Sequence, residues 1–150
     1  MEPLTNNLIA ITKKYLSSFS GKVSLLPLDR YHFVLIMIAN NQKKLTQKGL
    51  GEMLLIDKSY MVNILNHLEE KGYIIREKNV NDRREQLIKL TERAKKELPV
   101  ITEAVMELNE KSFQNLTAQQ IENFNQVLHI IQSNLSDSVP PEIMLEYKKL

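Results

Sequence analysis

The densest charge chemistry of the 150-residue chain is the triplet Asp82-Arg83-Arg84, set in the polar stretch Asn79-Val80-Asn81-Asp82-Arg83-Arg84-Glu85. A guanidinium at a loop tip suits the narrow, strongly negative minor groove of DNA, and a neighbouring carboxylate can hold it in orientation. As a plain surface ion pair the same residues contribute almost nothing. A second set, Ser59, Tyr60, Asn63, Asn66 and His67, carries donors and acceptors suited to base edges and phosphates. A helix face rich in Asn and Ser also serves simply for solubility.

Other chemistry is poorly supported. The three histidines, His32, His67 and His129, fall on three different predicted helices and form no cluster, so no metal site is expected. With no cysteine, disulfides, thiolate ligands and thiol redox sensing are excluded. There is no pattern of nucleophile, base and orienting group and no glycine-rich phosphate loop, so neither an enzyme nor a cofactor is expected. The start, Met1 to Asn7, lacks the basic and apolar regions of a signal peptide. The longest apolar run, Phe33 to Ala39, is far short of the ~20 residues that span a bilayer. A soluble, cytoplasmic protein with no membrane partner is the expectation.

The net charge of +2 hides an asymmetry: +6 up to Leu98 and −4 from Pro99 onward. A basic first part hints at an anionic partner, although ordinary solvated faces account for it equally well.

The elements that must position these residues are mostly helical. Leu8, Ile11, Tyr15 and Phe19 share one helix face, with Gly21 as a stop. Asp29 is placed to cap a second helix, with Leu28 and Phe33 as a staple, an apolar face of Tyr31, Val34, Leu35 and Ile38, and an end at Asn40-Asn41. Thr46 caps a short third helix. Gly49 and Gly51 inside it mean either a weak helix or a closely approaching backbone. After the turn Leu55-Ile56, Asp57 caps a fourth helix with the stripe Met61, Ile64, Leu65, Leu68, closed by Lys71-Gly72. The period then shortens to that of strands at Tyr73 to Lys78 and Gln86 to Leu90, a hairpin joined by the Asp82-Arg83-Arg84 loop. Thr91 caps a long helix that Pro99 should kink. Thr117 and Gln120 form a capping box, with Leu116 and Ile121 as a staple. The helix that follows has the face Ile121, Phe124, Leu128, Ile131, Leu135, and Ser136 to Pro141 breaks before a final short segment. Helix, turn, helix and hairpin in this order predict a mostly α winged helix-turn-helix with a two-stranded wing and additional terminal helices. The fourth helix would enter a major groove.

The segments Leu45-Thr46-Gln47-Lys48-Gly49-Leu50, Ile56-Asp57-Lys58-Ser59, Leu68-Glu69-Glu70-Lys71-Gly72-Tyr73-Ile74 and Asp82-Arg83-Arg84 to Leu90-Thr91 resemble the multiple-antibiotic-resistance regulators, the MarR family. The resemblance covers the central third of the chain residue by residue and the flanking helices in arrangement only. It implies a single unit over 1–150, a DNA-binding lobe at 29–91, and terminal dimerisation helices at 1–21 and 99–150. By matching position, Arg84 is the minor-groove arginine and Asp82 its orienting residue. Lys58 to His67 supply major-groove and phosphate contacts, with Thr46 and Gln47 on the DNA backbone. The implied protein is a homodimer that binds an inverted repeat of double-stranded DNA, expected to act as a ligand-relieved repressor. Where the family often has arginine, this chain has Asn63 and His67, and asparagine suits adenine where arginine suits guanine. Family members often bind small aromatic or lipophilic effectors, for which Tyr15, Phe19, Tyr31 and His32 would line a cleft. At helical spacing such residues are more often plain core. The alternative function is a winged helix used as a protein-interaction module, which has no need of a tip arginine.

Overall fold

The structure is a computed structural model that describes residues 3–41 and 45–135. The predicted break at Ser136 to Pro141 and the final segment lie outside the described residues. Helix α1, Leu4–Lys22, runs one residue past Gly21, which therefore sits in its last turn. Of its predicted face Phe19 is fully buried, whereas Leu8 and Ile11 are exposed.

Helix α2 is His32–Asn40 and starts two residues later than an N-cap at Asp29 would set it. The residue before it, Tyr31, is left-handed (φ 67°, ψ 21°), and no side chain caps the helix. Asp29 is occupied elsewhere: its Oδ1 lies 2.8 Å from His67 Nε2, a long-range pairing that outcompetes the local cap. Val34, Leu35 and Ile38 are buried as expected, while Tyr31 is only half-buried.

Helix α3, Gln47–Leu54, is capped by Thr46, whose Oγ1 accepts from Gly49 N at 3.0 Å. A Cβ at Gly51 would stand 3.1 Å from the Ile56 carbonyl oxygen, and Ile56 N–H donates to Gly51 O at 2.9 Å. The chain thus folds back over Gly51, and the close approach explains that glycine. Helix α4, Lys58–Glu70, is capped by Asp57, which accepts from Ser59 N and Tyr60 N at 2.8 and 3.1 Å. All four residues of its stripe, Met61, Ile64, Leu65 and Leu68, are buried, each worth about 1.5–3 kcal/mol of transfer free energy. Gly72, at φ 76°, ends the helix: Tyr73 N–H reaches back to Leu68 O and Gly72 N–H to Glu69 O, both at 2.9 Å.

Strands β1, Ile74–Lys78, and β2, Gln86–Leu90, pair antiparallel with Ile74 opposite Leu90 and Lys78 opposite Gln86. Thr46 bridges to Leu87, and Ile88 N–H donates to Leu45 O at 2.9 Å, so the entry to α3 lies along the hairpin.

Thr91 caps helix α5, Glu92–Ser112, and its hydroxyl also donates to Gly72 O at 2.7 Å. The Tyr73 hydroxyl, at the hairpin base, donates to Glu97 Oε2 at 2.5 Å beneath the Arg93 guanidinium. Helix α5 runs through Pro99 as one long helix. Pro99 is exposed, and without an N–H it cannot donate to the Lys95 carbonyl one turn before it. Ile101, Ala104 and Leu108 bury the opposite face. Helix α6, Ala118–Asn134, begins with the Thr117–Gln120 capping box and contains no buried residue. Leu28, Leu35, Ile38, Leu50, Leu65, Leu68, Tyr73 and Ile88 belong to one core beneath α2, α3, α4 and the hairpin.

Candidate nucleic-acid interface

The turn closing onto Gly51 sets the N-terminal ends of α3 and α4 beside the hairpin. Between them lies a groove of about 580 Å³ lined by Thr46, Gln47, Lys58, Arg83 and Arg84, together with Lys48, Lys78, Gln86 and others. Five of the sequence-predicted residues are therefore gathered along one concavity. Its cations, Lys48, Lys58, Lys78, Arg83 and Arg84, outnumber its carboxylates, Glu52 and Glu85. Such a surface attracts a polyanion.

The hairpin tip is internally fixed. Asn79 donates from its backbone to Glu85 O and from Nδ2 to Glu85 Oε2, at 3.0 and 3.1 Å, and its Oδ1 accepts from Asn81 N at 3.0 Å. Asp82 Oδ1 accepts from the backbone N–H and Nε of Arg84 at 3.0 and 3.2 Å, and Oδ2 accepts from its terminal nitrogen at 3.3 Å. The Arg84 side-chain and backbone hydrogen bonds hold the Asp82 carboxyl below its ordinary range. Arg84 nevertheless remains 91% exposed. The carboxylate orients this guanidinium while leaving it open to a further partner.

Along α4 the predicted face divides. Ser59 and Asn63 are exposed, and Tyr60 is half-buried against the core. Asn66 is exposed, but its Oδ1 accepts from Arg76 at 2.7 Å. His67, expected to be open to a partner, is instead drawn into the lobe. Its side chain is 14% exposed, bonded to Asp29, with Tyr31 edge-on at 5.4 Å. A second groove, of about 370 Å³, runs past Asn63, Asn66 and His67 to Arg30, Tyr31, Tyr60 and Glu70. Arg76 was missed in the sequence although a signal existed. It stands two residues after the buried Ile74 on β1, hence on the same strand face.

Of the four residues expected at an effector cleft, Phe19 and His32 are buried while Tyr15 and Tyr31 are half-buried. Phe19 and His32 meet edge-on at 5.4 Å. The Tyr15 hydroxyl donates to Asn109 Oδ1 at 2.7 Å, burial raises its pKa, and Tyr31 faces His67 instead. Among the described residues no group of three His, Cys, Asp or Glu is placed to hold a metal ion. No described helix is long and apolar enough to cross a membrane.

A helix-turn-helix completed by a two-stranded wing makes this a winged-helix protein. Residues 28–86 match the model of the MarR family. It is 30% identical over 93 residues to the HTH-type transcriptional regulator SarZ of Staphylococcus epidermidis strain RP62A, covering 61% of this chain and 60% of that relative. It is 29% identical over 107 residues to SarZ of Staphylococcus aureus strain MRSA252, covering 71% of each. Among solved structures, the S. aureus MepR–DNA complex superposes with a TM-score of 0.83 at 20% identity over 90% of this chain and all of that one. A MarR-family transcriptional regulator from Listeria monocytogenes, complexed with 26mer DNA, superposes with a TM-score of 0.80 at 23% identity over 89% of both. At these identities the structural likeness is one of fold.

Proposed function

We propose that this protein is a sequence-specific double-stranded DNA-binding transcriptional regulator, acting as a homodimer on an inverted repeat and as a ligand-relieved repressor. One observation carries the DNA-binding reading: the wing-tip Arg84, held by Asp82 yet 91% exposed, beside a basic groove at the start of α4. A wing that docks on a protein has no use for a guanidinium so fixed. The SarZ relatives are transcriptional regulators by name, and two structural neighbours were solved with DNA. The role places the protein in the cytoplasm. A small aromatic or lipophilic effector would act on the spacing of the two α4 helices. It shifts the balance only by its differential affinity for the two states.

Selection of bound genomic fragments supplies an operator, and titrations on operator and scrambled duplex at several salt concentrations test the reading. Arg84→Ala should cost about 1–3 kcal/mol per half-site and relax the preference for A·T pairs under the wing. Asp82→Ala should give a partial version of that defect. Lys58→Ala should weaken all sequences alike and lower the salt slope by about one unit. Operator binding by Arg84→Ala as tight as wild type would remove the main support for the proposal.

A further inference from the structure

We infer that Arg76 sets part of the base preference of α4 by fixing which end of the Asn66 carboxamide faces outward. The inference rests on the DNA-binding reading above. Arg76 stands on β1 with its side chain only 17% exposed, against the last turns of α4. Its backbone N–H donates to Glu69 Oε1 at 3.2 Å and its Nε to Glu69 Oε2 at 3.0 Å. One terminal nitrogen is shared between Glu69 Oε2 and Asn66 Oδ1, the latter at 2.7 Å. Glu69 thus locks the guanidinium, and the guanidinium locks the amide.

The chemistry leaves a single orientation. A guanidinium has only donors, so the end of Asn66 that meets it must be the carbonyl oxygen. The end left free is the NH2 group, which only donates. Adenine recognition by asparagine needs both functions, the carbonyl accepting from N6 and the amide donating to N7. With its carbonyl committed to a cation, Asn66 is a poor partner for adenine and a good one for acceptors: guanine N7 and O6, or thymine O4. Asn63, one turn earlier, is exposed and its side chain makes no hydrogen bond among the described residues, so it keeps both functions. Two identical side chains on one helix face are thereby given different reading properties. Arg76 is a positioning residue: it acts through Asn66 and touches no base itself.

The test is base-preference profiling on a randomised library of inverted-repeat duplexes, with wild type, Arg76→Lys, Arg76→Met, Asn66→Ala and Asn66→Ala combined with Arg76→Met. Wild type should select guanine or thymine at the pair read by Asn66, a preference that Asn66→Ala erases. Arg76→Met frees the amide to turn, and preference at that pair should move toward adenine by at least about fivefold, the low end of bidentate discrimination. Arg76→Lys, which keeps a cation for Glu69 but cannot fork to both partners, should shift in the same direction. On the Asn66→Ala background Arg76→Met should add nothing at that pair. Unchanged profiles with binding retained would overturn the inference and leave Arg76 as a strut. So would equal loss of preference at the Asn63 and Asn66 positions, which marks general loosening of α4. Failure of wild type to enrich any duplex would instead overturn the DNA-binding reading itself.

Discussion

Glu69 and Asp29 tie α4 down from opposite sides, one through Arg76 on the hairpin and the other through His67 to the chain before α2. The hydrogen bond from Arg76 is the largest influence on Glu69 and, with the guanidinium charge, holds its carboxyl below the ordinary 4.5 against the effect of burial. At Asp29 burial is the largest single influence and pushes upward. The His67 hydrogen bond, a backbone hydrogen bond and the His67 and Arg30 charges together outweigh it, so this pKa too falls below the ordinary 3.8. Carboxyls depressed in the folded state bind protons more readily when unfolded. Their stabilisation is full above the unfolded values and is lost as pH falls through the folded ones. Urea midpoints should therefore hold steady down to about pH 5 and decline below about pH 4. Glu69→Gln should make that acid decline shallower; an unchanged decline would dissociate it from Glu69. These ties also show where reading residues from sequence reached its limit. The stripe of α4 correctly placed His67 off the main core line, but its partner lies 38 positions away. A helical period contains no information about a carboxylate in another segment. Arg84 and Asp82 were legible because both partners fall within one three-residue turn.

The connections between elements obey chemistry confined to a few residues, and most were readable for that reason. Thr46, Asp57, Thr91 and Thr117 cap the helices that follow them. Each needs only a side-chain oxygen and an N–H two or three positions on. The start of α2 was misplaced because Asp29, though a good cap by type, is claimed by His67. The turn between α3 and α4 offers a paired test of backbone fit. Leu55, its C-cap, is left-handed at φ 52° and 61% exposed, so its side chain contributes little to the core. Leu55→Gly relieves a left-handed penalty of about 1–2 kcal/mol against a chain-entropy cost of about 0.5–1 kcal/mol. Its denaturation midpoint should rise modestly. Gly51→Ala should do the reverse, since the new Cβ would stand 3.1 Å from the Ile56 carbonyl oxygen and the turn must shift by a few tenths of an ångström to admit it. A loss of about 1–3 kcal/mol is expected from such crowding. Equal midpoints for the two variants would refute this account of the turn.

At the scale of the whole molecule, the two ends of the chain carry apolar faces that the lobe leaves uncovered. Leu4, Ile9 and Ile11 on α1 and Phe124, Val127 and Ile130 on α6 are each at least 44% exposed. A 17-residue helix with nothing buried is marginal in water by itself, since packing normally supplies most helix stability. An apolar surface of this kind marks an interface. The proposed dimer covers it and sets two α4 helices about 34–36 Å apart on one face of a duplex. Sedimentation at micromolar concentration should give twice the 17.4 kDa chain mass, and Phe124→Glu with Ile130→Glu should shift it toward monomer. A wild-type species of 17.4 kDa would sink the architecture.

The pairing of Leu45 and Thr46 with β2 makes the wing less portable than its short hairpin suggests. A lone two-stranded hairpin is barely stable in water, and here the entry to α3 supplies part of a third edge. A chimera that grafts residues 74–90 from a relative would inherit a seam cut for a different neighbour. The arginine-bearing tip would then be tilted against α4 even with every tip residue unchanged. The transplantable unit therefore begins at Leu45, and recombination with other winged-helix chains should respect that boundary if the two reading elements are to stay in register.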